Sequence, residues 1–242
     1  MAVNRYGDGI MDGMTSKQVP GLFIVGTDTD VGKTYVGALI ARALRAAGHR
    51  VGVYKPAASG CRLEQGALVS DDAVALWEAA GQPGTLQQVC PQRFVAPLAP
   101  HLAAKAEGKR LDSELLRCGL DVWRETCDVV LVEGAGGLMS PLGEEEYVAD
   151  LADDFGFPLV VVARNALGTI NHTLQTLITA ATFRDGLEVA GVVLNRLAPP
   201  SGDASLSTNR QELEARCVAP ILAEVGWQEG FDAEVDWFTL MK

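Results

Sequence analysis

Short, nearly unbroken apolar runs recur along the chain, each followed by a stretch whose apolar residues fall at helical spacing. The runs "LFIVG" (22–26), "VGVYKP" (51–56), "DVVLVEG" (128–134), "PLVVVAR" (158–164), "VAGVVLN" (189–195) and "PILAEV" (220–225) predict strands. They are rich in Val and lack polar alternation, the pattern of parallel strands covered on both faces. Helical patterns over 33–47, 72–80, 112–126, 168–184 and 208–217 lie between them. Strand and helix in alternation predict an α/β fold, a doubly wound and mostly parallel sheet flanked by helices. In such a sheet, ligands sit at the carboxyl ends of the strands. No linker interrupts the pattern, so residues 20–242 are expected to form a single domain, with an exposed turn-rich loop over 199–208.

Polar residues gather at those strand ends. After the first run comes "GTDTDVGKT", Gly26 to Thr34, with Gly32-Lys33-Thr34 opening a helix. Five residues separate Gly26 from Gly32 where the regular phosphate loop has four. The physical parts are nonetheless those of a phosphate loop, in which successive backbone amides and a helix N-terminus converge on an anion. Lys33 then reaches the outer phosphates and the Thr34 hydroxyl ligates Mg²⁺. The second run ends in Lys55, next to Pro56, and the third in Glu133, followed by the glycines of "GAGG". Glu133 stands where many phosphate-loop enzymes place a metal-binding carboxylate. In "SDDAVAL" (70–76), Ser70 or Asp71 suits a helix N-cap, and Asp72 is the carboxylate that would face a metal.

Lys55 narrows the chemistry. A lysine at the end of a buried strand is costly without a negative partner. Two unit charges about 4 Å apart are worth roughly 4 kcal/mol at a protein-surface dielectric. A second lysine beside Lys33 and Mg²⁺ therefore suits phosphoryl transfer to an acceptor that is itself anionic, such as a carboxylate or carbamate. A water nucleophile needs it less.

Composition bounds the rest. The 242 residues carry 31 acidic and 20 basic side chains, a net charge of −11, with no basic cluster. Neither nucleic acid nor an anionic membrane is an expected partner. Cys61, Cys90, Cys118, Cys127 and Cys217 follow no metal or disulfide spacing and read as free thiols of a reducing cytoplasm. His49, His101 and His172 lack zinc spacing. Residues 1–19 are polar and Gly-rich and are expected to be a disordered leader, with Met14 as an alternative start. No run approaches the length of a transmembrane helix.

In order along the chain, "GTDTDVGKT", "YKPAASG", "DDAVAL", "APHLAA", "VEGAGGLMSPL", "LGTINHT" and "NRLAPP" resemble the dethiobiotin synthetase family. The likeness runs from Gly21 to about Trp227. It implies a homodimeric phosphate-loop enzyme that uses ATP, Mg²⁺ and CO₂ to close 7,8-diaminononanoate into a ureido ring. By motif, Asp30, Val31, Gly32, Lys33, Thr34 and Tyr35 would cradle the phosphates, with Thr34, Asp72 and Glu133 as metal ligands. Lys55 matches the family's catalytic lysine, acting with Lys33 and Thr29, and Ser59 its substrate-side hydroxyl. Gly134, Ala135 and Gly136 would border the nucleotide. Asn195 would meet the adenine edge, with Arg196, Gly226 and Trp227 in the same nucleotide site. Gly168, Thr169, Ile170 and Asn171 resemble the loop that holds the diamine's carboxylate from the neighbouring subunit. Two departures stand out: no Tyr follows the Pro-Pro loop, and Gly226 replaces the family's proline before the tryptophan. Amidotransferase-type synthetases share the chemistry but carry a glutaminase domain for which this chain has no room. Partition and division-site ATPases carry an extra lysine early in the loop, where this chain has "GTDTD".

Overall fold

Strand β1 (Gly21–Gly26) feeds the glycine loop and α1 (Lys33–Ala46), and from there the chain winds through alternating strands and helices. The computed structural model describes residues 19–199 and 202–241. The expected leader falls, except for Val19, outside those residues. After α1 come β2 (Val51–Tyr54), β3 (Ala57–Ala58), β4 (Arg62–Glu64), β5 (Ala67–Val69), α2 (Asp71–Ala79), α3 (Leu86–Val89) and β6 (Gln92–Arg93). Helices α4 (Pro100–Ala106), α5 (Ser113–Cys118) and α6 (Asp121–Thr126) precede β7 (Val129–Gly137), α7 (Val148–Phe155) and β8 (Leu159–Arg164). The remainder is α8 (Thr169–Thr182), β9 (Val189–Asn195), a 3₁₀ turn at Ala204–Ser207, α9 (Asn209–Glu214) and β10 (Ile221–Val225).

All six expected strands join one sheet in the order β10-β9-β8-β1-β7-β2. Every pairing in it is parallel. The connection after β1 travels toward β2, and the one after β7 travels the other way, toward β8. A crevice therefore opens at the carboxyl ends of β1 and its neighbours. The Val-rich runs are buried as their patterns require, with Leu22, Phe23, Ile24 and Val25 sealed from solvent. Each such side chain contributes roughly 1.5–3 kcal/mol of transfer free energy. On one face, Phe155 of α7 packs between Phe23 and Tyr54, its ring 6.3 and 6.4 Å from theirs.

Several boundaries differ from the sequence reading. The strand expected over 51–56 stops at Tyr54, because Lys55 N donates to Val89 O at 2.8 Å and Pro56 has no donor to offer. Glu133 is not a strand end: β7 continues to Gly137, with a register shift opposite Ile24 and Gly26. The helix expected over 112–126 is two, broken at Gly119–Leu120. Helices α3 and α4 and the β4–β5 hairpin are too short for periodicity to reveal, and α7 went unpredicted although its Val148, Leu151, Ala152 and Phe155 fall at helical spacing. The 199–208 stretch is not loop throughout, since Asp203 Oδ1 accepts from Ser205 N at 2.9 Å and starts the 3₁₀ turn. All five cysteines are unpaired. Among the described residues, no helix is long and apolar enough to cross a membrane.

Candidate active site

The glycine loop closes on itself at two positions that exclude a side chain. A Cβ on Gly26 would lie 2.5 Å from Asp28 O and 3.1 Å from Lys33 Nζ. Gly32 has φ 87°, and a Cβ there would meet Asn195 Nδ2 at 2.0 Å. Within the loop Asp30 is a non-glycine residue in the left-handed region at φ 56°. Gly32 is the N-cap of α1 and no side chain caps that end. The first amides of the helix are therefore free for an anion. Lys33 is buried and bends back, its Nζ donating to Asp28 O at 3.2 Å. Burial holds its ammonium below the usual lysine value, and the Glu133 carboxylate offsets that only in part.

Lys55 and Glu133 meet on the floor of the crevice. Lys55 Nζ lies 2.5 Å from Glu133 Oε1 and 3.1 Å from Asp72 Oδ2. The Thr34 hydroxyl donates to the same Glu133 Oε1 at 2.9 Å. Burial works against the Lys55 ammonium, but Glu133 and Asp72 outweigh it and hold the lysine above its ordinary value. Asp72 is the mirror case: burial alone would raise its carboxyl, and Lys55 pulls it below the usual range. The helix start is also resolved. Ser70 Oγ accepts from Ala73 N at 3.3 Å as the N-cap, Asp71 turns outward to Arg62, and Asp72 turns inward to Lys55.

This oxygen set fits Mg²⁺. Glu133 is 1% exposed and its Oε2 has no hydrogen-bond partner, leaving a buried lone pair for a cation without breaking the pair to Lys55. Thr34 and Asp72 supply further hard oxygens. Among the described residues, no group of three or more His, Cys, Asp or Glu is placed to hold a metal. Mg²⁺ is commonly bound by one or two carboxylates and completes its shell with phosphate and water.

A cleft of about 750 Å³ collects Thr29, Asp30, Gly32, Lys33, Thr34, Tyr35, Lys55, Ser59, Asp72, Glu133, Ala135 and Gly136. Val31 is buried and Gly134 packs against Phe23 and Val148, both outside the cleft wall. Asn195, at the end of β9, donates from Nδ2 to Val31 O at 2.9 Å, and its buried Oδ1 has no partner. Arg196 N donates to Val225 O at 2.9 Å, while its buried Nε is unpartnered. Gly226 and Trp227 follow β10 and join neither the cleft wall nor Asn195 by a hydrogen bond.

Gly168 to Asn171 do not line this cleft within one chain. They are not a loop: Gly168, at φ 95°, is the N-cap of α8, whose first turn is Thr169, Ile170 and Asn171. That end has no side-chain cap, and the Thr169 hydroxyl is buried without a partner. Sequence reasoning missed the opposite wall, formed by Pro97, Leu98, Ala99, Pro100, Ser140 and Pro141. Ser140 Oγ accepts from Gly137 N at 2.8 Å, and His101 Nδ1 lies 3.1 Å from Pro141 O, tying two sides of that wall together. "APHLAA" and the "MSPL" after the glycines carried this signal, but nothing in their spacing says that they meet.

The AAA domain family matches residues 20–235. An ATP-dependent dethiobiotin synthetase of Rhodopirellula baltica is 42% identical over 219 residues, 86% of this chain and 84% of that protein. Proteins of the same name from Anaeromyxobacter dehalogenans (strain 2CP-C) and Bacillus subtilis are 43% and 37% identical. They align with 86% and 84% of this chain, and 90% and 85% of those proteins. Among solved structures, a ParA family ATPase from Chlorobium tepidum superposes with TM-score 0.53 at 15% identity, covering 88% of this chain and 85% of that one. The MinC:MinD complex of Aquifex aeolicus gives TM-score 0.51 at 15% identity, covering 86% and 81%. The last two share the fold alone.

Proposed function

The chain belongs to the ATP-dependent dethiobiotin synthetase family, and from that premise we propose that it closes 7,8-diaminononanoate and CO₂ into the ureido ring of dethiobiotin. The observation that carries the reading is Lys55, a buried ammonium held between Glu133 and Asp72 on the floor it shares with the phosphate loop. In this reading Lys55, paired with Glu133 and Asp72, serves as a fixed positive charge.

In this reading CO₂ adds to one amine of the substrate and forms a carbamate. The γ-phosphoryl group of ATP passes to a carbamate oxygen, and the second amine attacks the resulting mixed anhydride and expels phosphate. The ring closes in that last step. Lys33 and Lys55 stabilise the negative charge of acceptor and phosphoryl group, so catalysis is positioning plus electrostatics. Mg²⁺ held by Thr34, Asp72 and Glu133 would supply further neutralisation of the phosphates. Thr29 and Ser59 place hydroxyls on the cleft wall, where they can orient the amines. We further propose a cytoplasmic homodimer. The uncapped start of α8, Gly168 to Asn171, would face the partner's cleft and bind the substrate carboxylate there.

The test is phosphate release from Mg-ATP with 7,8-diaminononanoate and bicarbonate, omitting one component at a time. Release should require both. Equal rates without the diamine would replace the synthetase with a simple ATPase, and dependence on the diamine alone would overturn the carbamate step.

A further inference from the structure

The cleft wall that faces the phosphate loop has two halves, mounted on different parts of the fold. One half, Pro97 to Pro100, leads into α4. Ala103 and Ala104 of that helix pack with Phe94 in a small cluster separate from the core around the sheet. The stretch before α4 is laced to the residues after β3, with Cys61 N donating to Phe94 O at 2.9 Å and Gly60 N to Ala96 O at 3.2 Å. The other half, Ser140 and Pro141, is fixed to the end of β7, where Ser140 N donates to Gly137 O at 3.0 Å and Val148 N to Ser140 O at 2.9 Å. Among the described residues, one hydrogen bond joins 94–106 to 137–148: His101 Nδ1 lies 3.1 Å from Pro141 O. A carbonyl only accepts, so Nδ1 carries the hydrogen, in the neutral ring as in the imidazolium.

The surface of this wall differs from that of the phosphate loop. Pro97, Pro100 and Pro141 have no amide hydrogen, and the Leu98 amide donates to Ala96 O at 2.9 Å. Apart from the Ser140 hydroxyl and the Ala99 amide, the wall has no donor to offer a phosphate, and the exposed Leu98 side chain presents carbon to the cleft. With the phosphates on the loop, such a wall suits the aliphatic body of the phosphoryl acceptor. We propose that His101 is a positioning residue for that acceptor: by holding α4 against Pro141, it sets the width of the apolar side of the cleft. The proposal rests on the reading that the cleft brings ATP and the diamine together.

His101→Leu removes the donor, and His101→Asn returns one near the Nδ1 position. His101 is half-buried at the start of a short helix, so both variants should keep the folded circular dichroism spectrum. In His101→Leu, KM for 7,8-diaminononanoate should rise about three- to tenfold, the worth of one net hydrogen bond. Its kcat should stay close to that of the unsubstituted protein, as should ATP affinity measured by calorimetry without the diamine. His101→Asn should recover most of the loss. Because the neutral and the charged ring both supply Nδ1–H, the ratio of the KM values should hold between about pH 6 and pH 9. An unchanged KM in His101→Leu, or no recovery in His101→Asn, would overturn the proposal. A fall in kcat at unchanged KM would place His101 in the chemical step and overturn it as well. Equal weakening toward ATP, or loss of the folded spectrum, would leave His101 a structural role only. Phosphate release that does not depend on the diamine in the unsubstituted protein would instead remove the underlying reading, and the proposal with it.

Discussion

Lys55 Nζ and Glu133 Oε1 lie 2.5 Å apart, both side chains buried, Lys55 just past the end of β2 and Glu133 within β7, 78 positions apart along the chain. A pair taken this far out of water is weak evidence for stability, since desolvation can match the attraction. Its value here is the charge it maintains. Lys55→Met should leave a folded, nucleotide-binding protein with turnover reduced about a hundred- to a thousandfold, the usual loss for one preorganised charge partner. Single-turnover phosphate release alongside ATP titration checks this, and full turnover in the variant would take Lys55 out of the reaction.

Glu133→Gln retains an acceptor for both Lys55 and Thr34 but not the charge. The fold should persist by circular dichroism, with turnover lost at every Mg²⁺ concentration. Activity that recovers when Mg²⁺ is raised would show that the ion is held mainly elsewhere.

Lys33 sets a pH dependence. Its free-protein value lies below the ordinary 10.5 because burial disfavours the ammonium. Bound polyphosphate favours the ammonium and raises that value, so binding takes up protons at alkaline pH. ATP affinity should therefore decline as pH rises through the free-protein value of Lys33, and calorimetry in buffers of different ionisation enthalpy should record proton uptake. Proton release on binding would contradict the assignment.

Two left-handed glycines separate backbone strain from collision. Gly48, at φ 93°, has nothing within 4 Å of a Cβ, whereas Gly32 faces Asn195. Gly48→Ala should cost about 1 kcal/mol in thermal unfolding and leave nucleotide binding intact. Gly32→Ala should cost more and abolish binding, because Asn195 and the loop must move apart. Similar behaviour of the two would mean that the close approach at Gly32 does not matter.

If the start of α8 serves the partner's cleft, mixing inactive Lys33→Ala and Asn171→Ala subunits should partly restore turnover. No restoration after verified subunit exchange would show that each site is built within one chain.

The six sheet strands, α1 with its glycine loop, and the polar residues in or just after the strands were legible in the linear pattern, though not which of them end a strand. Burial on two faces demands continuous apolar runs, and an anion site at a helix start demands glycines and Gly-Lys-Thr at short range. These are local requirements, so they leave local traces. The helix at Val148–Phe155 did leave a trace, since its buried Val148, Leu151, Ala152 and Phe155 recur at helical spacing, but over eight residues that pattern was overlooked.

Pairings between distant residues lay beyond that pattern. Ser70, Asp71 and Asp72 are adjacent and each suits a helix start, and spacing alone left the cap between Ser70 and Asp71. Their division into cap, outward ion pair and inward partner of Lys55 depends on which residues the fold brings beside the start of α2, Arg62 on one side and Lys55 on the other. The contact of Tyr35 with Glu229 and the wall joined by His101 and Pro141 likewise depend on which segments the strand order β10-β9-β8-β1-β7-β2 brings together. A run of valines says that a strand is buried on both faces, but not which strands lie beside it. Neighbours are chosen by the packing of the whole sheet, and only that choice puts a lysine within reach of a glutamate far along the chain.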